Sequence, residues 1–180
     1  MKDISLHILD IAQNSVSAQS KNIVIDIRED SRTDKLSILI QDDGRGMAPE
    51  IVQRVTDPFY TTRTTRKVGM GLSLFKQNAQ QTGGDLTVES EPGKGTIVKT
   101  HFVRSHIDCP PMGDMPGVMM ILVGGTSGIE WYYKHTVDDK EYVFDTREVK
   151  EALDGMDISE PSVMRYLKDM IRENLQELRG

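Results

Sequence analysis

The sequence predicts an α/β fold joined to a small α+β segment, and three observations predict it. Residues 22 to 28, 35 to 41, 86 to 90 and 96 to 103 read as strands, the first two by apolar and polar residues alternating with the strand period. Residues 3 to 19 and 72 to 81 read as helices, the second stopped by Thr82-Gly83-Gly84. Beyond His106-Ile-Asp-Cys-Pro-Pro-Met-Gly the composition and the charge both change.

The first helix has an unusual face. At about 100° per residue, Asp3, His7, Asp10, Asn14 and Ser17 fall within one narrow arc, and Ile4, Ile8, Leu9, Ile11, Ala12 and Val16 fill most of the rest. A solvated stripe normally carries Lys and Glu; this one is built of short polar groups. It suits a helix lying in the core with one edge on a polar site. Ser31 to Asp34 turn the first strand pair, and Pro49 to Val55 form a short helix whose start suits Pro and Glu. The second strand pair turns at Glu91-Pro-Gly-Lys-Gly95. That stretch contains Gly-Lys-Gly-Thr but lacks the strand–loop–helix setting of a phosphate loop, so it reads as a turn.

After the boundary, a helix is expected from Met112 to Val123, broken at Gly124-Gly125. Strands follow at Glu130 to Thr136 and Lys140 to Asp145, turned at Val137-Asp-Asp, then helices at Arg147 to Leu153 and Pro161 to Leu178, the last with Ser159 as its N-cap. Val163, Tyr166, Leu167, Met170, Ile171 and Leu175 recur at helical spacing, as a core stripe or a partner surface would.

With 180 residues, the chain can hold one moderate domain or a domain with an appendage. Through Arg104 there are 14 Lys plus Arg against 13 Asp plus Glu, about +1; the remainder has 8 against 15, about −7. The division expected is therefore 1–105 and an acidic appendage, 106–180, that docks a partner or a second copy. An acidic tail on a near-neutral module argues against nucleic acid. No apolar run approaches the ~20 residues of a membrane span, and the single cysteine, Cys109, forms no internal disulfide. These features lead us to expect a cytoplasmic protein with no metal cluster of its own cysteines.

Four segments in fixed order carry the chemistry: Asp10-Ile-Ala-Gln-Asn14-Ser15, Asp42-Asp43-Gly44-Arg45-Gly46-Met47, Asp57-Pro58-Phe59-Tyr60-Thr61-Thr62-Arg63 and Gly69-Met70-Gly71-Leu72-Ser73-Leu74. Asn14 offers a neutral amide oxygen, a hard ligand suited to Mg²⁺ that adds no repulsion toward phosphates. Asp10, one turn earlier, could orient or deprotonate a nucleophile, or merely tune the metal site. Asp42 ends a strand, and Gly44 and Gly46 let the backbone bend close to a ligand. A buried carboxylate there would accept from an exocyclic amine, which separates adenine from guanine. Thr62 and Arg63 lie in a threonine-rich cationic loop, where a guanidinium suits phosphate. Gly69, Met70, Gly71 and Leu72 open a helix whose first amides can bind a phosphate oxygen, and Thr96 is placed to reach the same ligand. These are the parts needed to hold a nucleoside triphosphate.

In order and spacing the set resembles the ATP-binding domain shared by sensor histidine kinases, DNA gyrase, the mismatch-repair ATPase and the heat-shock chaperone, the GHKL superfamily. The resemblance covers residues 3 to about 104. It implies a two-layer α/β sandwich of the Bergerat type, helices on one face of a mixed sheet, with ATP and Mg²⁺ between the helices and a lid at 61 to 67. It assigns Asp42 to the adenine amine, Asn14 to the metal, Arg63 to the phosphates and Asp10 to the place usually held by glutamate. Asp43 stands where the family has Asn, as a support for the turn. Histidine-kinase versions often have a Lys-His pair after the Asn; Ser17-Ala18 is closer to the gyrase pattern. His7 lies inside the nucleotide helix, so it is not expected to be the phospho-acceptor. More narrowly, Asp3-Ile-Ser-Leu-His-Ile-Leu-Asp-Ile-Ala-Gln-Asn14 and Val143-Phe-Asp-Thr-Arg-Glu-Val-Lys-Glu151 resemble small stand-alone ATP-binding proteins encoded beside iron-only hydrogenases, which implies a redox or hydrogenase-complex partner.

Three functions stay open at this point: a phosphotransferase acting on a partner protein, an ATP-gated binding module, and a slow gyrase-like ATPase. The last needs a transducer domain, for which an acidic appendage is a poor candidate.

Overall fold

The strongest alternation in the sequence becomes the centre of a sheet. In the computed structural model, which describes residues 2–57 and 70–180, β1 (Asn22–Asp30) pairs antiparallel with β2 (Lys35–Asp42), and Ile25 faces Ile40. β3 (Asp85–Glu91) and β4 (Gly95–Val103) form the second hairpin, and β4 joins the free edge of β2. β5 (Glu130–Val137) and β6 (Lys140–Asp145) form a third, and β5 runs parallel to β1 along its other edge. The order is β3-β4-β2-β1-β5-β6, one mixed sheet.

Period-two alternation sends Ile23, Ile25, Ile27, Leu36, Ile38, Ile40, Val98, Phe102, Trp131, Tyr133 and Phe144 into the core. The helices meet that face: α1 (Ile4–Ser17) brings Ile4, Ile8 and Ala12, and α3 (Met70–Gln81) brings Phe75 and Ala79. α4 (Met115–Gly124) adds Met115 and Met119, and α6 (Pro161–Arg179) adds Val163, Leu167 and Ile171. Two shorter helices, α2 (Pro49–Arg54) and α5 (Thr146–Leu153), complete the fold. This is the expected α/β sandwich of Bergerat type with extra α+β elements.

The segment 106–180 is set off by charge in the sequence, but in the fold it shares sheet and core with the rest. Most of its acids lie on exposed turns and helix faces, while α4 and β5 supply core residues against α1 and β1. Two local expectations give way. Helix α4 starts at Met115 because Asp114 caps it, accepting from the Gly117 amide at 2.9 Å, and Pro116 fits the first turn. The N-cap of α6 is Glu160; Ser159 instead hydrogen-bonds Asp157 through both its amide and its hydroxyl.

A buried polar cluster ties the chain's end to the sheet. Glu29 accepts from His135 Nε2 at 2.6 Å and from Arg179 Nη2 at 2.7 Å, and His135 Nδ1 meets the Tyr133 hydroxyl at 2.7 Å. Burial would raise the Glu29 carboxyl, but hydrogen bonds from His135 and Arg179 outweigh it and hold it down at about 2. A carboxyl depressed on folding contributes stability above its unfolded value of 4.5, and that contribution is lost as pH falls toward 2. Glu29→Gln should therefore lower the urea midpoint at neutral pH, with the gap to wild type closing between these two values. A gap independent of pH would remove the ionised carboxylate from this role.

Candidate nucleotide site

Asp42 is the last residue of β2 and only 8% exposed. A buried carboxylate needs donors on both oxygens, and it has them: the Gly44 amide donates to Oδ1 at 2.9 Å, and the Ser15 hydroxyl to Oδ2 at 2.5 Å. Each oxygen keeps a second lone pair, so a ligand amine could still be received. Ser15 sits next to Asn14 on α1, so this bond joins two of the sequence motifs. Ser15 closes the first motif, but nothing in the periodicity distinguishes it from a small packing residue. A buried hydroxyl on an otherwise apolar face was the signal available.

The turn after Asp42 is built to close tolerances. The side chain of Asp43 accepts from the amides of Lys21 and Asn22 at 2.8 and 3.0 Å and from the Asn22 side chain at 2.9 Å, supporting the turn as expected. Gly46 has φ +70°, and a Cβ there would lie 2.0 Å from the Glu91 carbonyl oxygen, so only glycine fits. The Met47 amide donates to Ser90 Oγ at 2.8 Å. Ser90, not foreseen from the sequence, meets Thr96 Oγ1 at 2.8 Å, and Thr96 is the register partner of Asp42 across β2 and β4. Asp42, Gly44, Gly46, Met47 and Thr96 thus gather at one end of the sheet, linked to α1 through Ser15.

A second group lies one turn earlier on α1. A Cβ on Gly71 would fall 3.5 Å from Asp10 Cβ, which places the first turn of α3 against the Asp10 face. Met70 opens α3, and Leu72 is buried under it. Helix N-termini carry partial positive charge and free amides, so this face suits anionic groups. Asp10 is half-buried and contacts the Lys2 ammonium. Asn14 is half-buried, four residues along the helix from Asp10. Thr62, Arg63, Gly69 and the side chain of Met70 lie outside the described residues, as does the lid expected at 61 to 67.

His7 packs between the two helices. Its ring stacks on Phe75 with centroids 4.6 Å apart at 12°, and Nε2 meets the Asn78 amide at 2.8 Å. Burial, helped by Lys2, takes its pKa down to about 4 against the opposing pull of Asp10 and Asp3, so the ring is neutral at pH 7.

Residues 2–106 match the family described as histidine kinase-, DNA gyrase B- and HSP90-like ATPase. The chain belongs to this family. Its ATP-binding domain is related to those of sensor histidine kinases. The chain is 30% identical over 89 residues to sporulation kinase C of Bacillus subtilis, covering 49% of this chain and 21% of that protein. It is 30% identical over 91 residues to the sensor histidine kinase ZraS of Salmonella typhimurium, covering 50% and 19%. The chain thus spans about a fifth of the length of these relatives. In fold it is similar to the N-terminal domain of a DNA repair protein, with a TM-score of 0.54 at 15% identity, covering 79% of this chain and 52% of the other. That match takes in more of the chain than residues 2–106, so it reaches into the C-terminal elements. No helix among the described residues is long and apolar enough to cross a membrane.

Proposed function

We propose that the chain binds Mg-ATP at this site and passes the terminal phosphoryl group to a side chain of a partner protein. The observation that carries the reading is the pinned carboxylate of Asp42, held by Ser15 and Gly44 with lone pairs to spare. It would accept from the adenine amine, which guanine replaces with a carbonyl. The residues present fit a magnesium ion: Asn14 supplies a neutral hard oxygen, and its side chain makes no hydrogen bond to another described residue. The metal, when bound, supplies charge that offsets the phosphates. Asp10 would orient the acceptor hydroxyl and take its proton as that oxygen bonds to the terminal phosphorus and ADP leaves. The α3 amides would receive phosphate oxygens, with Thr62, Arg63 and Gly69 completing the phosphate contacts.

One observation favours a second reading, an ATP-gated binding module without transfer. The Lys2 ammonium already contacts Asp10 Oδ2 and occupies an oxygen that a general base would use. The narrower resemblance would make the partner a redox-complex subunit under either reading.

Calorimetry with ATP and GTP, with and without Mg²⁺, tests the site. ATP is expected to bind with Mg²⁺, and GTP at least about tenfold more weakly, as one lost buried polar contact requires. Equal affinities would sink the assignment. In single turnover with labelled ATP, Asp10→Asn is expected to keep binding and lose transfer. Transfer at the wild-type rate would reduce Asp10 to a structural role, and no transfer from wild type to any co-purified partner would leave the second reading.

A further inference from the structure

The surroundings of Asp10 hold more than the nucleotide site has used. A Cβ on Gly71 would fall 3.7 Å from Asp10 Oδ2, so that oxygen faces the first turn of α3. The Lys2 ammonium contacts the same oxygen, and Lys2 has no other ion pair among the described residues. An ammonium and a helix N-terminus, both positive, thus converge on one carboxylate oxygen. The two side chains are 39% and 37% exposed, and a pair that open to water is weak and readily exchanged. A place with this balance of charge favours a further anion.

The main chain around Lys2 is fixed. The amides of Ile4 and Ser5 donate to the carbonyls of Pro111 and Met112 at 2.9 and 2.8 Å. Asp3, next to Lys2, caps α1 by accepting from the Leu6 amide at 2.9 Å and also takes the Ser5 hydroxyl at 2.6 Å. Gly113, at φ +82°, closes over these two side chains, since a Cβ there would lie 2.4 Å from Asp3 Cγ and from Ser5 Oγ. A ligand that meets Lys2 therefore has only a side chain to order, which keeps the entropy cost of the contact low.

Position along α1 decides which part of the ligand Lys2 would meet. Ser15 holds the carboxylate that would receive adenine. Asn14, Asp10 and Lys2 follow in that order toward the start of the helix, and Asp10 lies about 7.5 Å of helix axis from Ser15. The group that reaches Lys2 is then the one farthest from the base. We propose that Lys2 receives the terminal phosphate of ATP, so that the site separates ATP from ADP through this lysine. The proposal rests on the nucleotide reading above. An ammonium is a compact point charge suited to phosphate oxygens, and a terminal phosphate carries more charge than the carboxylate it replaces. With the triphosphate bound, Lys2 turns to the phosphate and Asp10 Oδ2 is released from its contact. With ADP the pair stays closed. The substrate itself thus frees the oxygen that a general base needs.

The test is calorimetry on the full chain with Mg²⁺, using ADP and a non-hydrolysable ATP analogue. Lys2→Met is expected to weaken the analogue at least about tenfold and ADP by less than about twofold. Lys2→Arg should keep most of the preference. Lys2→Met also bares Asp10, whose charge would repel any phosphate, so the substitution is repeated on Asp10→Asn. In that background the loss for the analogue should persist. A loss that vanishes there would make Lys2 a screen for Asp10, and a loss equal for ADP and analogue would make it a general attraction. Either result overturns the proposal, as does an unchanged preference in Lys2→Met. Both side chains are partly exposed, so the urea midpoint should hold in each variant. Wild-type protein that binds neither nucleotide would instead overturn the nucleotide reading, and this proposal with it.

Discussion

Asp42→Asn is expected to weaken ATP binding by about one to two orders of magnitude, because the carboxylate is acceptor-only and asparagine is not. The two oxygens of Asp42 already receive Gly44 and Ser15. In the variant, the amide oxygen must stay on the Gly44 N–H, which cannot reverse its role; the new NH₂ then faces Ser15, whose hydroxyl can accept instead. The fold survives that exchange, but an adenine amine directed at the same position now meets a donor. An unmatched buried polar contact costs about 1–3 kcal/mol, which sets the expected range. Ser15→Ala should cost less, since it removes a donor from Asp42 and leaves the acceptor in place. Calorimetry read beside the urea midpoint separates recognition from stability. An Asp42→Asn protein with wild-type affinity and an unchanged preference for ATP over GTP would exclude the residue from base recognition.

Removing residues 106–180 is expected to abolish cooperative folding, and ATP binding with it. The deletion takes away Met115, Val118, Met119, Leu122, Trp131, Tyr133, Phe144, Leu167 and Ile171, all buried. Each such side chain contributes about 1.5–3 kcal/mol by leaving water, so together they match or exceed the roughly 5–15 kcal/mol by which a typical domain is stable. It also strips β5 from β1 and leaves a row of main-chain groups unpaired beside Ile23, Ile25 and Ile27. Circular dichroism through a urea titration checks this directly. A truncated chain that unfolds in one sharp transition and binds ATP as the full chain does would show that 2–105 suffices, and would confine 106–180 to docking.

How much was legible in the sequence follows from how local each signal is. The helix of Asp10 and Asn14, the hairpins and the carboxylate at the end of β2 were read within a residue or two, because periodicity and turn chemistry act over a few positions. Capping was legible only in part: the helix starts at Pro161 as expected, but Asp157 engages Ser159 and the N-cap is Glu160, one residue later. The pairing of β1 with β5 was not legible, since no local pattern specifies a partner about a hundred residues away. The same holds for Ser15 and Ser90. Their importance comes from the atoms opposite them, Asp42 Oδ2 and the Met47 amide, which only the folded chain brings near.

The parallel pairing of β1 with β5 has a consequence during synthesis. Ile25 and its partner Tyr133 are 108 residues apart. At about 5–20 residues per second of translation, β1 leaves the ribosome on the order of 5–20 s before the strand that completes it. For that interval the nascent chain presents an open edge flanked by isoleucines, the kind of surface on which strands of neighbouring chains can pair. Slower translation lengthens the exposure, and overproduction raises the number of such edges present at once. The yield of soluble protein should therefore depend on translation rate and on chaperones that hold nascent chains.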